Sequence, residues 1–302
     1  MCLTKTVISV SQRVFGVFSQ WEAVSEMGTD SLDRAFARLI SRQPRFAPEV
    51  GGVSPNDVHS RPDEGDLSSN ENRHPSSQTS EQKSAGATWT LSDLVDPSVM
   101  SCNIAATQRQ FQLESEKDAA HLWLYSFCNT LVAPSLWLMV QESLCPSPNI
   151  DDGILQHREG MWWSFHPGAM TTCDQFGAIF ADTIRPVIES LSEVTSASPA
   201  PLRAIAVDAL GSAATEAGND DFAPEEGEEC AATCEHAFCE EAASWGARVP
   251  PFRSQWITDA MGEERVVVVR SSCCMMYRSP MADMCTNCPR RDKESRRNLL
   301  EL

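Results

Sequence analysis

The chain has 302 residues, with 24 Lys and Arg against 42 Asp and Glu, a formal net charge of −18. So acidic a chain is a poor general binder of nucleic acid or anionic lipid, and 42% apolar with 22% charged residues excludes a wholly disordered or fibrous protein. The charge is uneven: residues 248–302 hold ten basic and seven acidic side chains, while the first 247 hold 14 and 35.

Residues 1–47 carry helical patterning. Val14, Phe15, Val17, Phe18 and Trp21 share one face, and Leu32, Phe36, Leu39 and Ile40 share another. This segment reads as a helical N-terminal extension. Residues 48–88 are rich in Ser, Asn, Pro, Gly, Glu and Gln. They bury too little to offset the entropy of ordering and read as a disordered polar linker.

The folded body is expected over residues 89–264. Thr90 to Asp93 opens a short segment, and Asp96-Pro97 marks a helix start. A helix from about Glu114 to Leu144 is apolar almost all round, which implies burial, with Pro134 kinking or splitting it. Glu159-Gly160 lies between two short apolar runs and predicts a β-hairpin from Ile154 to Phe165. Helices follow at about Thr172–Val194, bent at Pro186, and at Pro201–Ala217. The acidic run from Pro224 to Glu229 is expected to cap a helix from Glu228 to about Trp245. Four consecutive Val between Arg265 and Arg270 predict a buried strand opening a C-terminal segment, 265–302. The expected fold class is α+β: a mostly helical body, a small antiparallel sheet and a C-terminal Cys-rich segment.

Twelve Cys is a high count. The N-terminus shows no uninterrupted apolar h-region and no persuasive cleavage site, and no window approaches the roughly 20 apolar residues of a membrane span. A cytoplasmic location is therefore expected. There thiols stay reduced, and clustered Cys serve as metal ligands more readily than as bridges.

The strand runs into Cys273-Cys274, and ten residues later come Cys285 and Cys288 in a C-x2-C turn followed by Pro289. Four thiolates in sixteen positions suffice for a four-coordinate shell of iron or zinc. Adjacent Cys on an extended backbone point opposite ways, so serving one site needs a bend. Zinc ribbons use paired knuckles instead. A two-iron rhomb spreads its ligand positions farther apart and suits an adjacent pair better. A structural zinc site is the alternative. Cys230, Cys234 and Cys239 lie on a helix with His236 near them; they can be read as a ligand face or, more simply, as small buried apolar side chains. Cys2, Cys102, Cys128, Cys145 and Cys173 are scattered and read as structural. Trp162, Trp163, Phe165 and His166 form an aromatic group suited to core packing or to lining a cleft. His121 and His157 have no spaced partner. No dinucleotide fingerprint, P-loop, zincin or hydrolase-elbow motif is present.

The stretch from Arg270 to Pro289, with R-S-S-C-C-M-M-Y-R-S-P and then C-x2-C-P, resembles the C-terminal signature of the FhuF-type ferric-siderophore reductases. The Trp-bearing helix and the hairpin about Trp162 resemble that family more weakly. The resemblance implies a [2Fe–2S] cluster held by Cys273, Cys274, Cys285 and Cys288. It implies one-electron reduction of siderophore-bound Fe(III), of hydroxamate type, to Fe(II), with electrons from a separate donor protein or reductant. Arg270, Arg278, Arg290 and Arg291 flank the two Cys pairs. They are candidates for docking the donor or an anionic chelate, or for plain charge balance. Peripheral contact with the inner membrane face is compatible with such a role, and nucleic acid is not. The alternative reading is a non-redox siderophore-handling or interaction protein with structural zinc in the four-Cys site.

Overall fold

The computed structural model describes residues 29–46, 87–158 and 160–301. The expected helix face at Val14–Trp21 and nearly all of the polar linker lie outside these residues, as does Glu159 of the hairpin turn.

The fold is mostly helical, with two small antiparallel sheets. α1 spans Thr29–Arg42. A two-residue strand β1 (Thr88–Trp89) leads to α2 (Leu91–Leu94) and α3 (Pro97–Phe111). Both helix starts follow their sequence signals. Thr90 and Asp93 form a reciprocal capping box, and the Asp96 carboxylate accepts from the Ser98 and Val99 amides with Pro97 at the first position.

α4 spans Glu116–Glu142 and is the centre of the molecule. Trp123, Leu124, Phe127, Leu131, Leu136 and Met139 are all within 1% of full burial on several faces of the helix. It is long and apolar enough to cross a membrane, yet 72% of the relevant window is buried inside the fold. Pro134 does not split it; nor does Pro186 split α5 (Cys173–Thr195). Each proline is tolerated because packing on neighbouring helices holds the chain where one internal hydrogen bond is lost.

α4 packs on α6 (Pro199–Asp220), α6 on α7 (Pro224–Ser244), and α7 on α5. Small residues allow these approaches. A Cβ at Gly177 of α5 would sit 1.9 Å from the Cys234 carbonyl oxygen of α7. α7 begins at Pro224, four residues before the expected start. Proline's fixed φ suits the first helical position, so the acids Glu225 and Glu226 lie in the first turn rather than ahead of it.

The hairpin forms as expected: β2 (Gly153–His157) pairs with β3 (Trp163–Pro167), with Leu155 opposite Phe165. β1 extends the sheet, placing Thr88 opposite Gln156. The valine strand β5 (Glu264–Val269) pairs with β4 (Arg253–Thr258) as a two-stranded ribbon. It is not buried on both faces. Val266 and Val268 face inward against α6 and α7, while Val267 and Val269 are half-buried, as the two-residue period of a strand requires.

α1 docks on the body. Leu32, Phe36 and Leu39 enter the core, the Phe36 ring meets His166 at 4.1 Å, and Arg38 and Arg42 both reach Glu142. The described part of the N-terminal segment is thus packed structure. A last helix, α8 (Lys293–Leu300), is capped by Asp292.

Candidate metal centre

The Cys-rich segment is positioned by a buried carboxylate. Asp208, 1% exposed in the middle of α6, accepts from the Ser271 amide at 3.0 Å and the Ser272 amide at 2.7 Å. It also accepts from the Ser271 hydroxyl at 3.2 Å and the Ser272 hydroxyl at 2.5 Å. Hydrogen bonds to a charged acceptor are the strong ones, so these fix the backbone immediately before Cys273. Gly211, one turn on, lets β5 come close: a Cβ there would lie 2.9 Å from Val268 Cγ2.

The chain then bends. Met275 has φ of 61°, a left-handed conformation, and a 3-10 turn follows at Met276–Arg278. This is the bend that adjacent cysteines need if both are to serve one site. The second pair sits in successive tight turns: the Cys288 amide bonds to the Cys285 carbonyl at 3.1 Å, and the Arg291 amide to the Cys288 carbonyl at 3.1 Å. Asn287 donates its side-chain amide to the Val268 carbonyl, tying this turn to β5.

The four sulfurs gather as two neighbouring pairs, Cys274 with Cys285 and Cys273 with Cys288. Cys274 and Cys288 are buried, Cys273 is half-buried and Cys285 is exposed. The Cys274 thiol is pulled down to about 5 by the hydrogen bond from Cys285, against the effect of burial, with help from the Met276 amide and Arg270. Cys285, the donor of that bond, is pushed up by it and by burial. Burial also raises Cys273, opposed by the Met275 amide.

Arg270 is 5% exposed, with its guanidinium 4.4 Å from the Tyr125 ring centre and Nη1 3.9 Å from Cys285 Sγ. Its Nε and Nη2 have no hydrogen-bond partner. A buried guanidinium with idle donors is costly unless negative charge is close. Four thiolates around a metal cluster would supply that charge, so the residues present fit a multi-thiolate centre.

The other flanking arginines are placed differently. Arg278 donates to the buried Asp118 carboxylate at 2.9 Å, pinning the 3-10 turn to α4. Arg291 donates to the Cys285 carbonyl at 3.0 Å and the Met284 carbonyl at 2.5 Å. Arg290 is exposed. Two of the four docking candidates thus hold the segment together.

Two-by-two gathering suits a two-iron rhomb, in which each iron takes two protein ligands. Among the described residues, no three His, Cys, Asp or Glu side chains close around one point as a single ion would require. Residues 270–290 match the model of the FhuF 2Fe-2S C-terminal domain. The segment is thus similar in sequence to that 2Fe-2S domain, and its four thiols gather in space. No curated protein matches the chain.

Two features of the molecule escape sequence reasoning. Asp208 shows only as a lone acid in an alanine-rich helix, 63 residues from its partner Ser271. The second is a group of core thiols. Cys145 neighbours Cys173, Cys230 neighbours Cys234, and Cys230 Sγ donates to the Met139 sulfur at 3.3 Å. His236 is exposed and faces Glu240 instead. Of the aromatic group, Trp163 and Phe165 are core, His166 meets Phe36 and Asp33, and Trp162 is 42% exposed.

Proposed function

We propose that the chain is a ferric-chelate reductase, taking one electron at a time from a separate donor and passing it to siderophore-bound Fe(III). The observation that carries this reading is the gathering of the four thiols within the segment that matches the 2Fe-2S domain. Cys273, Cys274, Cys285 and Cys288 would hold the group. When bound, it supplies a one-electron redox centre. The reaction consumes one electron from the donor and converts chelated Fe(III) to Fe(II). Hard oxygen donors hold Fe(II) far less well, so the metal is released without breaking the chelator.

The protein's own residues do three things in this reading. Asp208 fixes the backbone that presents the first Cys pair. Met275 and Met276 point their amides at the Cys273 and Cys274 sulfurs. Arg270 places a buried positive charge beside them, which favours the more negative, reduced form.

An acidic donor protein has a cationic seat to use. A groove of about 690 Å³ between β4 and α8 is lined by Arg253, Lys293, Arg296 and Arg297 with one acid, Glu294. Charge complementarity of this kind sets on-rate more than affinity.

The test is stoichiometric. Anaerobic protein reduced with dithionite and freed of excess reductant is mixed with a ferric trihydroxamate, and Fe(II) is trapped with a colorimetric chelator. One Fe(II) per electron stored, with return of the oxidised visible spectrum, supports the reading. A reduced centre that persists unchanged beside the ferric chelate contradicts it, and points to a handling or interaction protein.

A further inference from the structure

The four thiols are not equivalent, and their inequality has a direction. Cys274 neighbours Cys285, and Cys273 neighbours Cys288. Each pair therefore takes one member from the adjacent couple and one from the C-x2-C turn. In this crossed arrangement the adjacent side chains serve different irons, which avoids the strain of seating both on one.

Positive charge favours one pair. Arg270 Nη1 is 3.9 Å from Cys285 Sγ, and the same guanidinium lies beside Cys274. Of the four cysteines, these two are the ones that act on Arg270 most. The guanidinium rests on the Tyr125 ring at 4.4 Å and is 5% exposed, so water screens it little. Its Nε and Nη2 have no hydrogen-bond partner. The nearby Asp208 carboxylate is occupied instead by Ser271 and Ser272. Backbone amides do not offset this bias, since each pair receives one: Met276 to Cys274 and Met275 to Cys273. Solvent acts in the same direction as Arg270. Cys285, the exposed thiol of the four, belongs to the favoured pair, whereas the other pair joins half-buried Cys273 to buried Cys288.

We propose that Cys274 and Cys285 hold the iron that is reduced, that Cys273 and Cys288 hold the iron that stays ferric, and that Arg270 is the positioning residue that fixes this choice. The proposal deepens the redox-centre reading and rests on it. One electron enters from the donor, one of two ferric irons becomes ferrous, and no bond to the protein breaks. The added negative charge is placed where the guanidinium and water both meet it. The same choice gives the electron an exit. An acceptor that approaches the exposed Cys285 meets the reduced iron without a second iron between them.

Proton NMR of the dithionite-reduced holoprotein reads the assignment. In a coupled ferric–ferrous pair, the cysteine β-proton shifts on the ferric side shrink on warming, while those on the ferrous side grow. The four ligands are told apart by labelling the residue that precedes each, because Ser272, Cys273, Met284 and Asn287 are four different types. The expected result is shifts that grow on warming for Cys274 and Cys285 and shrink for Cys273 and Cys288. The reverse assignment overturns the proposal. So does a ferrous side shared by one cysteine from each pair, or one common slope for all four. In Arg270→Gln the two classes of slope should converge or exchange, and Arg270→Lys, which keeps the charge, should retain the wild-type order. Slopes unchanged in Arg270→Gln remove Arg270 as the determinant. Iron and sulfide analysis reports that each variant carries the centre. The same analysis of the wild type tests the redox centre itself, and release of Fe(II) from a ferric chelate tests the reductase reading, each by a separate measurement.

Discussion

Two sets of four cysteines gather among the described residues, and they differ in what surrounds them. Cys145, Cys173, Cys230 and Cys234 lie in the core beside Met139, all at most 7% exposed. Burial and mutual hydrogen bonding push Cys173 and Cys234 upward, and no cation contributes. Cys273, Cys274, Cys285 and Cys288 lie at the surface end of a strand, with backbone amides and a buried arginine aimed at them. There Cys274 is pulled down to about 5. Proximity of sulfurs alone therefore does not make a ligand set. The neighbouring donors and charge decide whether thiolates are stable.

The sharpest way to break this comparison is to remove one cysteine from each set. Cys285→Ser should abolish the visible absorbance and the bound iron. Cys234→Ala should leave both unchanged and cost about 1 kcal/mol of stability, the price of a small core cavity. Iron analysis and denaturant melts of the two variants decide it, and iron loss in Cys234→Ala would erase the distinction.

Asp208→Ala attacks the support rather than the ligands. It strands the buried Ser272 amide and the Ser271 amide beside it, so a loss of about 3 kcal/mol is expected, together with lowered iron occupancy. Urea unfolding of the metal-free variant separates the two effects, because the stability loss should persist without iron. Arg270→Gln keeps a polar side chain but removes the charge. The spectrum should survive while the potential falls by about 59 mV, a tenfold change for one electron. An unchanged potential in a spectroelectrochemical titration would show that the buried charge does not act on the centre.

The smallest effect concerns rates. In metal-free protein at pH 6, above the value of about 5 for Cys274, that residue is largely thiolate. Cys173 and Cys234, raised by burial, are not. Iodoacetamide should therefore label Cys274 well before either core residue, and its rate should drop as the pH falls below 5 because the thiolate is protonated. Peptide mapping reads this directly. Equal labelling of both sets would contradict the contrast.

Much of the framework was legible from local pattern. The capping signals at Thr90 and Asp96, the all-round apolar helix, the hairpin and the valine strand depend on neighbouring residues, and each appears near its expected place. The four thiols were legible by spacing. What was not legible is long-range. Asp208 meets Ser271 only because α6 lies beside β5. Arg270 has the appearance of a surface charge in the sequence, yet the fold lays it on Tyr125. Cys145, Cys173, Cys230 and Cys234 are spread over two helices and the loop after α4, so no spacing rule could group all four. Pro224 misled because acids beside a proline read as a cap, whereas proline itself opens the helix.

The most direct measurement is an anaerobic purification with iron, sulfide and zinc analysis, and a visible spectrum before and after dithionite. About two iron and two sulfide per chain, with colour that bleaches on reduction, is the result expected of a redox centre held by Cys273, Cys274, Cys285 and Cys288. One zinc, no sulfide and a colourless protein would contradict it and leave a zinc-stabilised binding module.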